Sequence, residues 1–359
     1  MSGIIVSNWG HSSAGRALAW HARGRGFDPH WLHSYRGLID DYRLCASGQR
    51  NFWRAQVELT WSIRLRIAAS AAVGIAVLGV YAWPMVAPPD PFGVVSLING
   101  TISSYDVFKL LGLAFGVGLV AYFLSWPYGN RIGILAVPAG LAVWAVRSGD
   151  IGTLMQLNTS VVRRQQIYSS FCWEPLLWLA LVAAGYIGVF LASQIIHPAK
   201  TVEEGKPQKR NAGVFLNVIV AVIGSAVVAQ FFIGMFARDF TILDSTAGAA
   251  VAQPAIGQIV FAVLVSFGLV GFFVQRVLGV DYIWPVIGAC LVNFVAISAY
   301  GKHDVLDYFA ARWPAVFFSN SVLAVLPIQI VAFGSLGAIA GYWMAVRYEY
   351  WHKHEVKGE

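Results

Sequence analysis

Chemistry in a mostly apolar chain needs polar groups set among hydrocarbon, and five residues stand out on that ground. They are Glu174 in "FCWEPLLW", Asp150 in "SGDIG", Asp304 in "GKHDV", and the amides Gln230 and Asn293 inside long apolar runs. A carboxylate at the edge of the hydrocarbon can hold a cation or a polar substrate, and amides can line a path for an uncharged solute. With Arg163, Arg164, Gln165, His303, Asp307 and Arg312, the three acids also supply the acid, base and cationic groups of a hydrolase or transferase site.

Each residue has a plainer reading beside the chemical one. Glu174 stands directly before Pro175, as at a helix N-terminus where a carboxylate meets the positive end of the dipole. Asn217, Gln230, Gln258, Gln275, Asn293, Asn320 and Gln329 fit hydrogen bonds between helices. The charged residues of 148–173 fit a wet loop. His352 and His354 in "YWHKHE" have the spacing of a two-ligand metal site, but so close to a terminus they read as solvated. Cys45, Cys172 and Cys290 lie far apart with no CxxC spacing, so no disulfide framework is indicated, and no metal or cofactor is expected.

The elements that must position these residues follow from composition. The 359 residues are 57% hydrophobic and 12% charged. Soluble domains carry about 25% charged residues, so this chain cannot cover a core with polar surface, and lipid must be its solvent. A spanning helix needs roughly 20 mainly apolar residues. Eight stretches meet or approach that length: 62–84, 108–126, 132–147, 175–196, 213–236, 255–275, 283–300 and 319–346. The expected fold is an all-α, polytopic membrane bundle of eight helices. Residues 34–61 form a lead, 62–196 and 213–346 two halves of four helices, 197–212 a linker and 347–359 a tail. No ionisable side chain lies at the centre of any expected span, which counts against an ion-coupled carrier or a voltage sensor.

The excess of 25 Lys and Arg over 18 Asp and Glu would suggest nucleic acid in a soluble protein. In a membrane protein it reads as loop bias, and no nucleic-acid partner is expected. From Arg43 onward, fourteen basic residues fall on the side of the segment before the first span and seven on the other. The asymmetry predicts both termini in the cytoplasm.

Two segments match at a spacing of 150 residues: "GLVAYFLSWPYG" from Gly118 and "GLVGFFVQRVLG" from Gly268. Each precedes an apolar helix with proline, Pro138 or Pro285, and then a loop ending in Asp150 or Asp304. Trp173-Glu174-Pro175 precedes one later span and Trp313-Pro314 another. The match raises a four-plus-four duplication in parallel orientation, an architecture that transporters use and scaffolds share.

The His-, Trp- and Arg-rich stretch "SSAGRALAWHARGRGFDPHWLH", Ser12 to His33, resembles nucleic acid rather than protein. Residues 10–33 resemble an alanine tRNA gene translated in frame. "HSSAGRA" can be written as a D-arm with its stem paired, "LAWHA" encloses a GGC anticodon with flanking stem bases, and "GFDP" gives the TTCGA of a T-loop. "WGH" and "HWLH" supply complementary acceptor strands with the G·U pair that marks alanine tRNA. The resemblance implies that residues 1–33 are spurious translation and that the natural start lies downstream, at Leu38, Leu44 or Val57. It also implies a prokaryotic source, and so residence in an inner membrane. The membrane portion resembles no family in this way.

The leading functional expectation is a permease- or channel-like facilitator of a small or neutral solute, with Glu174, Asn293, Gln230, Asp150 and Asp304 as candidate polar positions. The competing class is a non-catalytic membrane subunit or scaffold, packed against other membrane proteins or further copies of itself. A membrane enzyme with its site on the outer face is third. In every case the bilayer is the first partner.

Overall fold

The computed structural model describes residues 61–100, 102–196, 212–246 and 248–355. The expectations about residues 1–33, the start positions, the lead before residue 61, nearly all of the linker 197–212 and the last residues of the tail lie outside the described residues.

Among the described residues, eight helices are long and apolar enough to cross a membrane. The first span is α1 (Trp61–Gly74) continued by a π-helical turn to Tyr81, after which a short α2 (Trp83–Val86) follows. The second is α3 (Ser104–Leu124). The third joins α4 (Gly129–Ile132) to α5 (Ala136–Arg147) through one 3-10 turn. After α6 (Ile151–Leu157) comes the fourth span, α7 (Val161–Ile196), then the fifth, α8 (Ala212–Phe236). The sixth and seventh, α9 (Ile256–Phe273, extended by a π turn to Leu278) and α10 (Ile283–Tyr300), are joined by a tight turn at Gly279 with φ 63°. After α11 (His303–Arg312) the eighth span is α12 (Pro327–Glu355). The fold is the expected all-α membrane bundle.

Two boundaries differ from the hydropathy reading. The eighth helix starts at Pro327 and not near 319, because 319–326 folds into a 3-10 turn over Ser321–Ala324 whose apolar residues are buried by protein. Burial by protein and burial by lipid look alike in composition. Pro327 then opens α12, where a missing N–H costs nothing. Likewise 148–173 is not a loop. It holds α6 and the first thirteen residues of α7, whose buried Ile167, Tyr168 and Phe171 fall on one helical face among polar neighbours.

Glycines set the closest helix pairs. A Cβ on Gly118 would stand 2.0 Å from the Gly185 carbonyl oxygen, and one on Gly341 would stand 2.0 Å from that of Gly268. Backbones this close belong to the second span with the fourth and the sixth with the eighth, the most extensive pairings of the bundle. The first span packs similarly on the third, where Gly140 meets the Gly74 oxygen, and the fifth on the seventh, where Gly288 meets that of Val222. Small residues permit such approach where no hydrophobic force separates helix from lipid. The third and eighth spans are central: 72% of each apolar window is buried, against 28% for the first and fifth. They pack on each other, so the seam between the halves runs through them.

Eight successive crossings put the connections 82–103, 148–160, 237–255 and 301–326 on one face, and these four touch one another. The Gly149 amide donates to Gly93 O, and that of Gln253 to Val316 O. A small antiparallel sheet, β1 (Thr241–Ile242), β2 (Ala250–Ala252) and β3 (Phe317–Phe318), ties two of them, with Val251 opposite both Thr241 and Phe318. We call this the loop-bearing face.

Candidate functional site

Glu174 lies thirteen residues inside α7, not at its N-terminus, and it is 0% exposed. A helix residue rises about 1.5 Å, so α7 is about 54 Å long, well beyond a hydrocarbon core of about 30 Å. Glu174 and Pro175 therefore mark the place where the helix leaves the apolar run and continues into the loop-bearing cap. A buried carboxylate is costly unless its lone pairs are taken. Here Leu97 donates its backbone N–H to Oε1 at 2.8 Å, and Ser96 Oγ donates to Oε2 at 3.2 Å. The Trp178 indole N–H, one turn further on, is turned toward the same carboxylate but falls short of a full hydrogen bond.

The segment that meets Glu174 is secured at both ends. The Asn99 amide donates to Ser96 Oγ, Ser170 Oγ on α7 donates to Asn99 Oδ1, and the Val95 amide donates to Ser148 Oγ. Glu174 thus anchors residues 95–99 against α7, and both its oxygens are committed to that task.

Around this anchor the spans at the seam share a polar level. Trp144 of α5 packs edge-on against Trp178 with ring centroids 6.2 Å apart. Gln329 of α12 donates through Nε2 to Ala145 O and accepts from the Leu326 amide. Cys290 of α10 donates to Pro175 O, and Asn293 lies one turn along the same helix. Asn293 is 3% exposed, and its Nδ2 has no partner among the described residues. Trp144 Nε1 is equally buried and equally without a partner. The seam therefore offers two hydrogen-bond donors, from the seventh and third spans, that no acceptor among the described residues satisfies.

The other candidate positions are dispersed. Gln230 is half-buried on α8. Asp150 is exposed and caps α6, accepting from the Thr153 amide at 2.6 Å. Asp304 is exposed in the first turn of α11. His303 meets Gln165 across the cap, while Arg164 donates to the carbonyls of Asn158 and Met155 at the end of α6. Asp150, Glu174 and Asp304 thus serve three different elements. Several amides bind backbone: Gln258 closes the end of α8 through Phe236 O and Arg238 O, and Asn320 caps the 3-10 turn.

Three further residues organise this face without having stood out in the sequence. Gln253 accepts from the Gly152 amide and donates to Ala324 O, so it joins three connections. Asp244 accepts from Tyr308 OH and from Trp313 Nε1, which ties the loop after β1 to the far end of α11. Trp144, near the end of the third span, is 0% exposed.

In comparisons with protein-family models, curated proteins and solved structures, nothing matches this chain.

Proposed function

We propose that this multi-pass membrane protein is a facilitator for a small, uncharged solute that carries hydrogen-bond acceptors. The observation that carries the reading is the Asn293 amide, buried at the seam with no acceptor for Nδ2 among the described residues. Leaving such a donor unsatisfied costs about 1–3 kcal/mol. That cost is offset whenever a passing solute brings an oxygen to it, and Trp144 Nε1 offers a second such donor. Gln230 is a secondary position in this reading. Glu174 is a fastening for the cap, not a solute ligand, and Asp150 and Asp304 serve the helices of the cap. The test is flux of glycerol and urea into proteoliposomes. Uptake above protein-free vesicles that falls in Asn293→Leu supports the reading, and absence of flux for either solute removes it.

A second reading, a subunit that packs on a further copy or another membrane protein, is favoured by one surface. On α3, Gly112 and Gly116 form a Gly-x-x-x-Gly step, and an added Cβ on either would meet nothing within 4 Å. Exposed Phe108 and Val120 continue the same stripe. Small residues facing outward at this spacing suit close approach by a partner helix. Cross-linking in native membranes separates the readings: Gly112→Ile abolishes a cross-linked species if α3 is an interface.

We further infer that both chain ends are cytoplasmic, on the basis of the Lys and Arg asymmetry, and that the membrane is the inner membrane of a prokaryote, on the basis of the tRNA-gene resemblance. We also infer a duplicated four-helix unit. Corresponding spans pair alike in the two halves, and Pro138 and Pro285 each stand third in their helices. Against strict symmetry, the two central helices are the third and the eighth, which are not counterparts. Residues 10–33 we read as a translated tRNA gene, and detection of any peptide from residues 1–33 in the native protein would overturn that.

A further inference from the structure

The seam has a second feature, away from the polar level and nearer the opposite face. A cavity of about 200 Å³ opens between the third, fourth, seventh and eighth spans. Its wall is hydrocarbon: Ile134, Leu179 and Val182 from one half, and Val286, Ile287 and Ile339 from the other. Tyr186 and Tyr282 line it as well, one from each half. Ala183 and Tyr186, on the fourth span, are exposed, so the cavity has a lateral mouth toward the surrounding lipid. A site entered from the bilayer and walled in this way excludes polar solutes and admits apolar ones. A smaller engineered cavity lined by Leu, Ile and Phe stays dry and takes an apolar guest.

Three lining residues carry hydroxyls, Tyr186, Tyr282 and Ser335. Ser335 on α12 lines the cavity, is 0% exposed, and its Oγ has no hydrogen-bond partner among the described residues. A helical serine commonly turns its hydroxyl back to a carbonyl of the preceding turn. Ser125 and Ser225 of this chain do so, each donating to the carbonyl four residues earlier, and Ser335 does not. Among these lining hydroxyls, that of Ser335 is the fully buried one left without a partner among the described residues.

We propose that this cavity binds a lipid-soluble molecule with a hydrocarbon body and one acceptor oxygen, entering laterally between the fourth and seventh spans and accepting a hydrogen bond from Ser335. The occupant belongs to the membrane phase and contacts both halves, so it bridges the seam. The site is separate from Asn293, and the two readings stand or fall independently.

The test compares two probes of equal chain length, 2-undecanone and undecane, on the full chain in detergent. Protein is incubated with each probe, passed through gel filtration, and the retained probe is measured per protein by gas chromatography. Wild type retains the ketone at up to one per chain and over the alkane by about fivefold, the equivalent of one neutral hydrogen bond. Ser335→Ala brings the two to the same level, and Ala183→Phe, which fills the mouth, loses both. The proposal is overturned if wild type retains no more of either probe than Ala183→Phe. It is equally overturned if ketone and alkane are retained alike by wild type, or if Ser335→Ala leaves their ratio unchanged. Because the readout is a ratio, reduced recovery of a variant does not imitate the expected result.

Discussion

Glu174 and Leu97 are 77 positions apart in the chain, yet the carboxylate of one receives the backbone N–H of the other at 2.8 Å in a fully buried setting. Removing the acceptor leaves the Leu97 amide and the Ser96 hydroxyl with nothing to bind. Glu174→Ala is expected to lower stability by about 2–4 kcal/mol, since each stranded buried group costs about 1–3 kcal/mol. Glu174→Gln keeps one carbonyl acceptor and is expected to lose about half as much. Thermal unfolding in detergent checks the order, and limited proteolysis between residues 87 and 103 checks where the loosening occurs. Equal stability of all three proteins would show that the anchor is not needed.

Helix contacts through glycine predict a sharp contrast on a single helix. Gly118→Ala drives a methyl against the Gly185 carbonyl and is expected to destabilise by about 2–3 kcal/mol, in the range of overpacked cores. Gly112→Ala, six residues earlier on the same α3, meets nothing within 4 Å, and gains up to about 1 kcal/mol of helix propensity. The comparison is read from melting temperatures in one detergent.

Asn293 gives the prediction that separates transport from packing. Asn293→Leu removes an unpaired amide, so its melting temperature is expected to stay level or rise, by the equivalent of about 1–2 kcal/mol. Solute flux in proteoliposomes is expected to fall at least tenfold. A fall in stability together with unchanged flux would identify Asn293 as a purely structural residue.

Asp150 and Asp244 are expected to matter for the cap and not for flux. Asp150→Ala loses a helix cap and about 1 kcal/mol. Asp244→Ala strands Tyr308 OH and Trp313 Nε1 and is expected to cost about 2 kcal/mol. Both effects are measured by unfolding, with flux as the companion control.

Eight spans were legible because crossing hydrocarbon demands length and apolarity, and both are written locally. What escaped was set by distant parts of the chain. The first three turns of α7 looked like loop because residues such as Arg163, Arg164, Gln165 and Gln166 dominate its hydropathy, while Ile167, Tyr168 and Phe171 carry its burial. The start of α12 was misjudged because 321–326 is apolar for contact with protein rather than lipid. Glu174 was recognised as exceptional, but its partners sit in the connection after the first span, and no spacing around "WEP" announces them. Trp144 and Ser335 stood among apolar neighbours with nothing local to show which of them would be left without a partner.

The continuation of α7 beyond the apolar run has a mechanical meaning. One continuous helix joins the hydrocarbon phase to the cap, and along its first turns it fastens Asn99 through Ser170 and meets His303 through Gln165. Any tilt imposed on its membrane portion, whether by bilayer thickness or by an occupant at Ala183, is carried as leverage to connections that share no sequence neighbourhood. A spin label at Gln166 would thus report, from the aqueous side, on events in the lipid phase.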